Sequence, residues 1–331
     1  MNYKESLKIL KKIEKANRII LNCHRGPDPD GIGSNLAMKI VLEKMGKKVD
    51  VICPSRVISK QTNFLKGYSD IKLGIGFDTY HFEDYDLFLS LDTPNLSLMT
   101  GKDDSKAPDI TTIVIDHHHI STVKGVIRLV DESTTSVGEL LYLIFEDWVV
   151  DIDKDVAECL LTSIVGDTGA FSYPNSTSQT FRIVAKLMDF GVDKDMIVNR
   201  IYRNEKFEML KFWSEVLSRM EFDEERRFVY AMIPNSVYSK YEKLDDAKAK
   251  AASLFAPIVD GTDFGFIGVE EKEKFITVSF RARTGFDTSV IAKALGGGGH
   301  KVASAVKFEG LTFDEATKKV LAAARKYAKK A

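Results

Sequence analysis

The chain has 331 residues, enough for two domains, and with 44% hydrophobic and 29% charged residues it has an ordinary globular composition. Its formal net charge of -1 argues against long or duplex nucleic acid as a partner, because no overall positive field would attract a polyanion. The beginning of the chain lacks a signal-peptide pattern, and no apolar run approaches a membrane span. With three cysteines in no metal-finger spacing, we expect a cytoplasmic protein with no membrane partner.

The first 53 residues predict one β-α-β unit. Residues 4–17 have the periodicity of an amphipathic helix, and residues 18–23 form an apolar strand. The segment from His24 to Ser34 contains two prolines and three glycines and predicts a stiff loop. Ser34 is expected to cap the next helix, which Gly46 ends, and residues 49–53 form a second strand.

Two further strands end in acidic residues. Residues 86–92 end at Asp92, and the apolar run 113–115 leads into Asp116, followed by three histidines. A hydroxyl-rich segment precedes an apolar helix over 140–148, and a helix over 154–165 leads to Asp167. Strands that alternate with helices predict an α/β fold with a mainly parallel sheet.

Beyond residue 190 the pattern changes. Residues 193–220 read as helical, with Phe207, Leu210, Trp213 and Leu217 as an apolar stripe that packs between domains. Shorter strands at 228–233, 264–269 and 275–282 follow, with helices at 244–254 and 313–329. We therefore predict a catalytic domain over 1–192, a helical linker over 193–221 and a smaller α/β domain over 222–331.

Acidic and histidine side chains recur at the ends of the predicted strands and helices of the first domain. Carboxylates gathered in one crevice repel each other, and bound cations are the usual remedy. Aspartates with a minority of imidazoles suit Mn²⁺, Mg²⁺ or Fe²⁺. Taken singly, each aspartate more often belongs to a turn, but the set predicts a metal site. Its members are His24, Asp28, Asp30, Asp92, Asp116, His117, His118 and Asp167.

A second set of candidate residues lies in the smaller domain. Arg281 and Arg283 alternate along the end of a strand, which would put both guanidinium groups on one face to hold a phosphate. Gly297, Gly298 and Gly299, which precede His300, leave backbone N–H groups open to a phosphate or ribose. The alternatives are a helix C-cap for the glycines and plain surface charge for the arginines.

These motifs resemble a known family. His24-x3-Asp28-x-Asp30, the strand-end Asp92, Asp116-His117-His118 and Gly166-Asp167-Thr168 are similar, in that order, to the four motifs of the DHH phosphoesterase superfamily. The segment from Gly297 to His300, followed by Ala303, resembles the glycine-rich signature of the DHHA1 domain. Within the superfamily, the size and motif order look most similar to the oligoribonuclease and 3′-phosphoadenosine 5′-phosphate phosphatase group.

The resemblance implies two divalent cations, usually Mn²⁺, with Mg²⁺ as the alternative. The implied ligands are His24 and Asp28 for one ion, Asp30, His117 and Asp167 for the other, and Asp92 as a bridge between them. His118 would face the scissile phosphate, and Asp116 would hold the residues of the site in position without binding a metal itself. His119 stands where relatives often have proline, and we interpret it as a mobile surface residue. In the second domain, the resemblance assigns the terminal phosphate and nucleoside of a short substrate to Arg281, Arg283 and His300.

The function implied by this resemblance is the metal-dependent hydrolysis of very short oligoribonucleotides and nucleoside 3′,5′-bisphosphates. Cyclic or linear dinucleotides are the nearest alternative, because the same clamp would fit them. Pyrophosphate or polyphosphate is disfavoured by glycines suited to a nucleoside, and a catalytically silent nucleotide-binding regulator is disfavoured by the complete ligand set. A homodimer is compatible with the sequence, which does not settle the oligomeric state.

Overall fold

The computed structural model describes residues 2–103, 105–241, 244 and 247–329. The chain divides into two compact units, Met1–Asn204 and Glu205–Ala331, and each is described by itself. Residues 193–221, the predicted linker, are divided between them, because one helix of this segment belongs to each unit. No helix in the described part of the chain is long and apolar enough to span a membrane.

The first unit is built on one six-stranded sheet in the order β3-β2-β1-β4-β5-β6. Its strands are β1 (Arg18–Asn22), β2 (Lys48–Cys53), β3 (Lys72–Leu73), β4 (Leu87–Leu91), β5 (Thr112–Asp116) and β6 (Ile127–Val130). Its helices are α1 (Lys4–Lys15), α2 (Pro29–Lys44), α3 (Leu96–Thr100), α4 (Val137–Trp148), α5 (Lys154–Asp167), α6 (Ser178–Asp189) and α7 (Lys194–Tyr202). Every strand pair of this sheet is parallel, which confirms the predicted α/β fold.

The sheet is buried on both faces around its centre. Strands β4 and β5 contain no exposed residue, as expected where helices or loops cover both faces of a parallel sheet. The pairs Asn22–Ser90 and Leu91–Ile115 fix the register of β1, β4 and β5. This register brings the carboxyl ends of the three strands to one edge. Between β1 and β4 the strand order reverses, and ligands of open α/β sheets usually bind at such a point.

Two local predictions for the first unit were wrong. Helix α2 begins at Pro29 instead of after a loop ending at Ser34, because proline is favoured in the first helical turn and Asp28 supplies the cap. The Asp28 carboxylate accepts a hydrogen bond from the N–H of Gly31 at 2.9 Å. Ser34 lies inside the helix, where its hydroxyl donates to the carbonyl of Asp30. Much of the predicted loop is therefore helical.

The second unit has a six-stranded sheet in the order β11-β12-β10-β9-β8-β7, antiparallel except for the parallel pair β8–β9. Its strands are β7 (Glu221–Asp223), β8 (Phe228–Ile233), β9 (Phe264–Lys272), β10 (Phe275–Ala282), β11 (Gly298–Gly299) and β12 (Ala303–Glu309). Its helices are α8 (Phe207–Ser218), α9 (Asn235–Tyr238), α10 (Ala247–Phe255), α11 (Ser289–Ala294) and α12 (Phe313–Tyr327). The helix predicted over 244–254 is α10, and residues 245 and 246 of that prediction lie outside the described residues.

Helix α8 buries a different stripe from the predicted one. Phe207 is 65% exposed and Leu210 and Leu217 are about half exposed, whereas Trp213 is buried. Trp213 lies in a core cluster with Met209, Phe212 and Val216 of the same helix and with residues of β8, β9 and α10. These positions keep the i, i+3, i+4, i+7 spacing of a buried helix face, shifted from the predicted set. Three of the four predicted positions therefore lie outside this core, and their packing between domains stays a prediction.

Candidate metal centre and substrate-binding residues

The predicted metal ligands of the first unit lie at the carboxyl edge of its sheet. His24 follows β1, Asp28 caps α2 and Asp30 lies in the first turn of that helix. Asp92 directly follows β4, and His117 directly follows β5. Asp167 is the last residue of α5. The structure brings all six side chains together into groups whose nitrogen and oxygen atoms lie within 4.8 Å of one another.

The first ligand group consists of His24, Asp28 and Asp92. The Nε2 atom of His24 lies 3.9 Å from Oδ1 of Asp28 and 3.6 Å from Oδ2 of Asp92. Burial lowers the pKa of His24, but the two carboxylates outweigh it and raise this pKa to about 11. The imidazole therefore marks a strongly negative position, and a cation there would displace its proton.

The second ligand group consists of Asp30, His117 and Asp167. Nε2 of His117 lies 3.5 Å from Oδ2 of Asp30 and 3.1 Å from Oδ2 of Asp167. Burial and the negative charge of Asp167 raise the pKa of Asp30 to about 7. Burial lowers the pKa of His117, but the surrounding aspartates raise it to about 10. A negatively charged pocket surrounds this imidazole too.

Asp92 faces both groups, one with each carboxylate oxygen. Its Oδ2 is the atom near His24, whereas its Oδ1 lies 3.7 Å from Nε2 of His117. Burial and the charge of Asp30 raise the pKa of the Asp92 carboxyl well above its ordinary value. Its backbone has a left-handed φ of 51°, a conformation that aspartate tolerates better than most residues. The backbone N–H of Asp92 donates to the carbonyl of Ile115 at 3.1 Å and holds this turn against β5.

The chemistry of these side chains fits divalent cations. Within the described part of the chain, no lysine or arginine forms an ion pair with any of the four aspartates of the two groups. Their separations from the imidazole nitrogens, 3.1–3.9 Å, are mostly longer than hydrogen bonds. Oxygen-rich sets with a minority of imidazoles suit Mn²⁺ or Mg²⁺. Cations bound there would neutralise the buried carboxylates at neutral pH.

His118 is oriented by Asp116. The Nδ1 atom of His118 lies 2.8 Å from Oδ1 of Asp116, the oxygen that also accepts the backbone N–H of His117 at 2.9 Å. Burial raises the pKa of Asp116, but the bond to His118 outweighs this effect, so the pKa is lowered. The same Nδ1 atom lies 3.6 Å from Oδ1 of Asp92, so His118 also belongs to a third group that could hold a metal.

In the second unit, the two candidate arginines have different surroundings. Arg281 is half-buried, and its guanidinium donates to the Ser253 hydroxyl at 3.0 Å and to the Phe280 carbonyl at 2.9 Å. None of the described carboxylates pairs with Arg281, and burial lowers its pKa. Arg283 lies just beyond β10 and pairs with Asp260 at 3.0 Å. The two guanidinium groups therefore differ in their freedom to bind an anion, because Arg283 already pairs with a carboxylate and Arg281, among the described residues, does not.

The glycine segment is partly strand instead of open loop. A Cβ atom on Gly297 would lie 2.2 Å from the carbonyl oxygen of Ala305, and one on Gly299 would lie 2.6 Å from Cα of Ser304. Both glycines are therefore required by the close approach to β12. Gly298 has no atom within 4 Å of an added Cβ, so only this glycine of the three faces open space. His300 is exposed, and its backbone N–H donates to the carbonyl of Ala303.

Comparisons with known protein families match both units. The DHH family N-terminal domain matches residues 18–164, and the DHHA1 domain matches residues 231–330. The chain belongs to the DHH–DHHA1 family of phosphoesterases. It is 26% identical over 330 residues to the bifunctional oligoribonuclease and PAP phosphatase NrnA of Thermus thermophilus, covering 98% of this chain and 94% of that protein. The NrnA protein of Bacillus subtilis is also 26% identical, over 93% of this chain and 94% of its own length.

A solved structure supports the same assignment of the fold. The crystal structure of an exopolyphosphatase-related protein from Bacteroides fragilis superimposes with a TM-score of 0.85 and 26% identity, covering 98% of this chain and 96% of that one. The sequence resemblance to the DHH–DHHA1 superfamily is therefore confirmed.

Sequence reasoning missed the residues that hold Asp30 inside the DHH domain. Its carboxylate accepts hydrogen bonds from the backbone N–H groups of Val137 at 2.9 Å and Gly138 at 3.2 Å, and from the hydroxyl of Ser163. The two N–H groups begin α4, where the helix dipole stabilises a negative charge. The hydroxyl-rich segment before α4 predicted a helix N-terminus, but nothing in it indicated that this N-terminus would bind the Asp30 carboxylate.

His119 lies apart from the ligand groups of the DHH domain. Its side chain is 83% exposed, and Nδ1 contacts the carboxylate of Glu132. The interpretation of His119 as a surface residue agrees with this position, whereas its mobility stays a prediction.

Proposed function

We propose that the protein is a metal-dependent phosphoesterase that hydrolyses very short oligoribonucleotides and nucleoside 3′,5′-bisphosphates. The observation that carries the proposal is the position of Asp92, whose two oxygens face separate ligand groups. Two adjacent cation positions that share one carboxylate are typical of sites for phosphoester hydrolysis. The NrnA relatives, named as oligoribonuclease and PAP phosphatase, support this choice of substrates.

The six side chains of the two ligand groups would hold the cations, with Asp92 as the shared ligand. Mn²⁺ is the proposed ion and Mg²⁺ the alternative, because the donors are oxygen-rich with two imidazoles and no thiolate. When bound, such cations neutralise phosphate oxygens and lower the pKa of a water. Removing them should leave the folded protein without hydrolytic activity.

His118 would contact the substrate phosphate in this proposal. Because Nδ1 is held by Asp116, Nε2 is the ring atom left for a phosphate oxygen. The Asp116 carboxylate holds Nδ1 and so fixes the orientation in which Nε2 would contact that oxygen. Asp116 thus acts as a positioning residue, without contact to the substrate.

The second unit would bind the far end of the substrate. Arg281 supports this role best, because its guanidinium is half-buried and lacks a carboxylate partner among the described residues. The open space beside Gly298 and the exposed His300 would accept the nucleoside and phosphate. Arg283 would contribute less, since Asp260 already pairs with it. The proposal thus assigns chemistry to the domain predicted over 1–192 and substrate selection to that over 222–331.

The compartment is also part of the proposal. Cys23, Cys53 and Cys159 are all free thiols, which supports a reducing compartment such as the cytoplasm.

The test is a substrate panel assayed after chelation and after restoration of metal. The panel contains a dinucleotide, an oligonucleotide of about ten residues, 3′-phosphoadenosine 5′-phosphate, a cyclic dinucleotide and pyrophosphate. We expect no turnover after chelation, recovery with Mn²⁺, and the highest kcat/KM on the dinucleotide or the bisphosphate. Full activity without metal would contradict the metal site, and a preference for the cyclic dinucleotide or pyrophosphate would contradict the substrate assignment.

A further inference from the structure

Two tyrosine rings lie beside Asp167 and have no part in the functions described above. Tyr173 is 53% exposed and Tyr202 is 42% exposed, although both are large and aromatic. Both belong to the first unit, in which the ligand groups lie. The ligand groups offer carboxylates and imidazoles but no large apolar surface, and these two rings provide one beside Asp167.

Tyr202 is fixed by the backbone that leads to Asp167. Its hydroxyl lies 2.8 Å from the carbonyl oxygen of Gly166 and 3.2 Å from that of Val165. Burial, followed by the nearby Tyr173, Asp167 and Asp28, raises the pKa of this hydroxyl. The hydroxyl is therefore occupied, and the exposed part of the ring is what Tyr202 offers to a ligand.

Tyr173 is held by a tight turn after α5. The residues Gly169, Ala170 and Phe171 all have left-handed φ angles, of 56°, 53° and 69°. The N–H of Tyr173 donates to the carbonyl of Thr168 at 3.0 Å and closes the turn. The turn therefore sets the position of Tyr173 relative to Asp167.

The ring of Tyr173 rests directly on the backbone of this turn. A Cβ on Gly169 would lie 2.6 Å from both Cε1 and Cζ of the ring, so only glycine allows the contact. The Asn175 side-chain amide donates to the carbonyl of Asp167 at 3.1 Å and ties the far end of the loop to the ligand residue. The Tyr173 ring is therefore held against this backbone while half of the side chain stays exposed.

We propose that Tyr173, flanked by Tyr202, is the stacking surface for the nucleobase of the nucleotide bound at the second ligand group. Aromatic rings stack on any nucleobase through its π face, so the subsite would accept all four bases. A ring already held by its own backbone loses little entropy on binding. The inference rests on the proposed function and adds a nucleoside subsite within the first unit, separate from Arg281 and the glycine segment.

The test compares substrates with and without a base. Tyr173→Leu removes the ring but keeps apolar volume, Tyr173→Phe keeps the ring, and Phe190→Leu removes an exposed aromatic ring that ends α6. Each protein, loaded with Mn²⁺, is assayed on a dinucleotide and on two analogues of it. One analogue lacks the base at its 5′ end, and the other lacks the base at its 3′ end. Binding of adenosine 3′,5′-bisphosphate and of the base-free ribose bisphosphate, each made with non-hydrolysable phosphonate groups, is measured by calorimetry under the same conditions.

We expect Tyr173→Leu to lower kcat/KM on the dinucleotide and affinity for the adenosine bisphosphate by about ten-fold, within the range of one base stacked on an aromatic ring. Tyr173→Phe and Phe190→Leu should stay within about two-fold of the original protein on this scale. For the base-free substrates and ligands, Tyr173→Leu should change neither kcat/KM nor affinity. An equal loss with and without the base, or no loss on the dinucleotide, would overturn the stacking role.

The binding arm separates this inference from the proposed function. If the original protein hydrolysed none of the nucleotides, the proposed function would fail. A ring-dependent loss of affinity for the adenosine bisphosphate alone would still support the subsite, and equal affinity in Tyr173→Leu would refute it.

Discussion

Replacing Ser163 by alanine should weaken the second ligand group and leave the first unchanged. The Ser163 hydroxyl donates to Oδ1 of Asp30 inside the protein, where this carboxylate is fully buried. After the change, Asp30 keeps its bonds from the N–H groups of Val137 and Gly138. One hydrogen bond to a charged group is therefore lost, and the fold of α4 is not altered.

The expected size follows from this single lost bond. A hydrogen bond to an ionised group contributes about 1.5–3 kcal/mol. At about 1.4 kcal/mol per factor of ten, this corresponds to roughly ten- to hundred-fold in affinity for the cation held by Asp30, His117 and Asp167. The pKa of Asp30 is already about 7, and losing a donor to its charged form raises it further. Protons then compete better with the cation, so the deficit should be larger at about pH 6.5 than at about pH 8.5.

The assay is a calorimetric titration of metal-free protein with Mn²⁺, analysed for two sites. Thr162→Val is the matched control, because Thr162 precedes Ser163 on α5 and its buried hydroxyl has no hydrogen-bond partner among the described residues. Thermal unfolding with chelator present checks that both variants fold. Equal weakening at both sites, or unchanged binding in Ser163→Ala, would refute the proposed support of Asp30.

Other changes should separate the remaining roles. Asp92→Asn should lower kcat by about a thousand-fold and reduce bound metal while the chain still melts cooperatively, since one carboxylate serves two cations; near-normal turnover would mean that the bridge is misassigned. His117→Ala should lower metal content, whereas His118→Ala should lower turnover at full metal content, and equal metal loss in both would contradict the split. Arg281→Ala should lower kcat/KM on a dinucleotide by about ten- to hundred-fold with little effect on a simple alkyl-aryl phosphodiester. Arg283→Ala should lower kcat/KM on the dinucleotide by a smaller factor. If Arg281→Ala lowered kcat/KM equally on the dinucleotide and on the simple diester, the role of Arg281 in substrate binding would be refuted.

The sequence predicted which residues lie near one another in the candidate metal centre because of one geometric rule. Carboxyl ends of parallel strands lie at one edge of the sheet, so the residues after β1, β4 and β5 were expected at the same edge once the α/β pattern was recognised. The strand order then makes these three strands neighbours. Asp167 was harder, because it ends a helix, and the dipole there disfavours a negative charge. That local conflict was itself the signal that a cation would balance the charge.

Contacts between distant segments could not be predicted in this way. The bonds to Asp30 come from Val137, Gly138 and Ser163, more than 100 residues along the chain. Each of these residues has an ordinary local explanation in its own helix. Only the packing of α2 against α4 and α5 places them around one buried carboxylate.

Local preferences misled in two places for identifiable reasons. The prolines between His24 and Ser34 predicted a loop, but a proline in the first helical turn fits a helix as well as a coil. The glycines of the second unit predicted exposed N–H groups, whereas Gly297 and Gly299 are required by the close approach of their backbone to β12. In both cases the residue type permits two structures, and the tertiary partner decides between them.

The sheet order, which the sequence did not provide, gives the physical reason to propose Asp92 as the shared ligand. Chain order alone places Asp92 after Asp30 and before His117, without telling which strands are neighbours. In the structure β4 lies between β1 and β5, so the residue that follows β4 has one donor group on each side. The left-handed φ of Asp92 and its N–H bond to Ile115 fix the turn between them. Among the described residues, Asp92 is the aspartate of the two groups whose oxygens lie near both imidazoles, His24 and His117. Asp28 lies near His24 alone, and Asp30 and Asp167 lie near His117 alone.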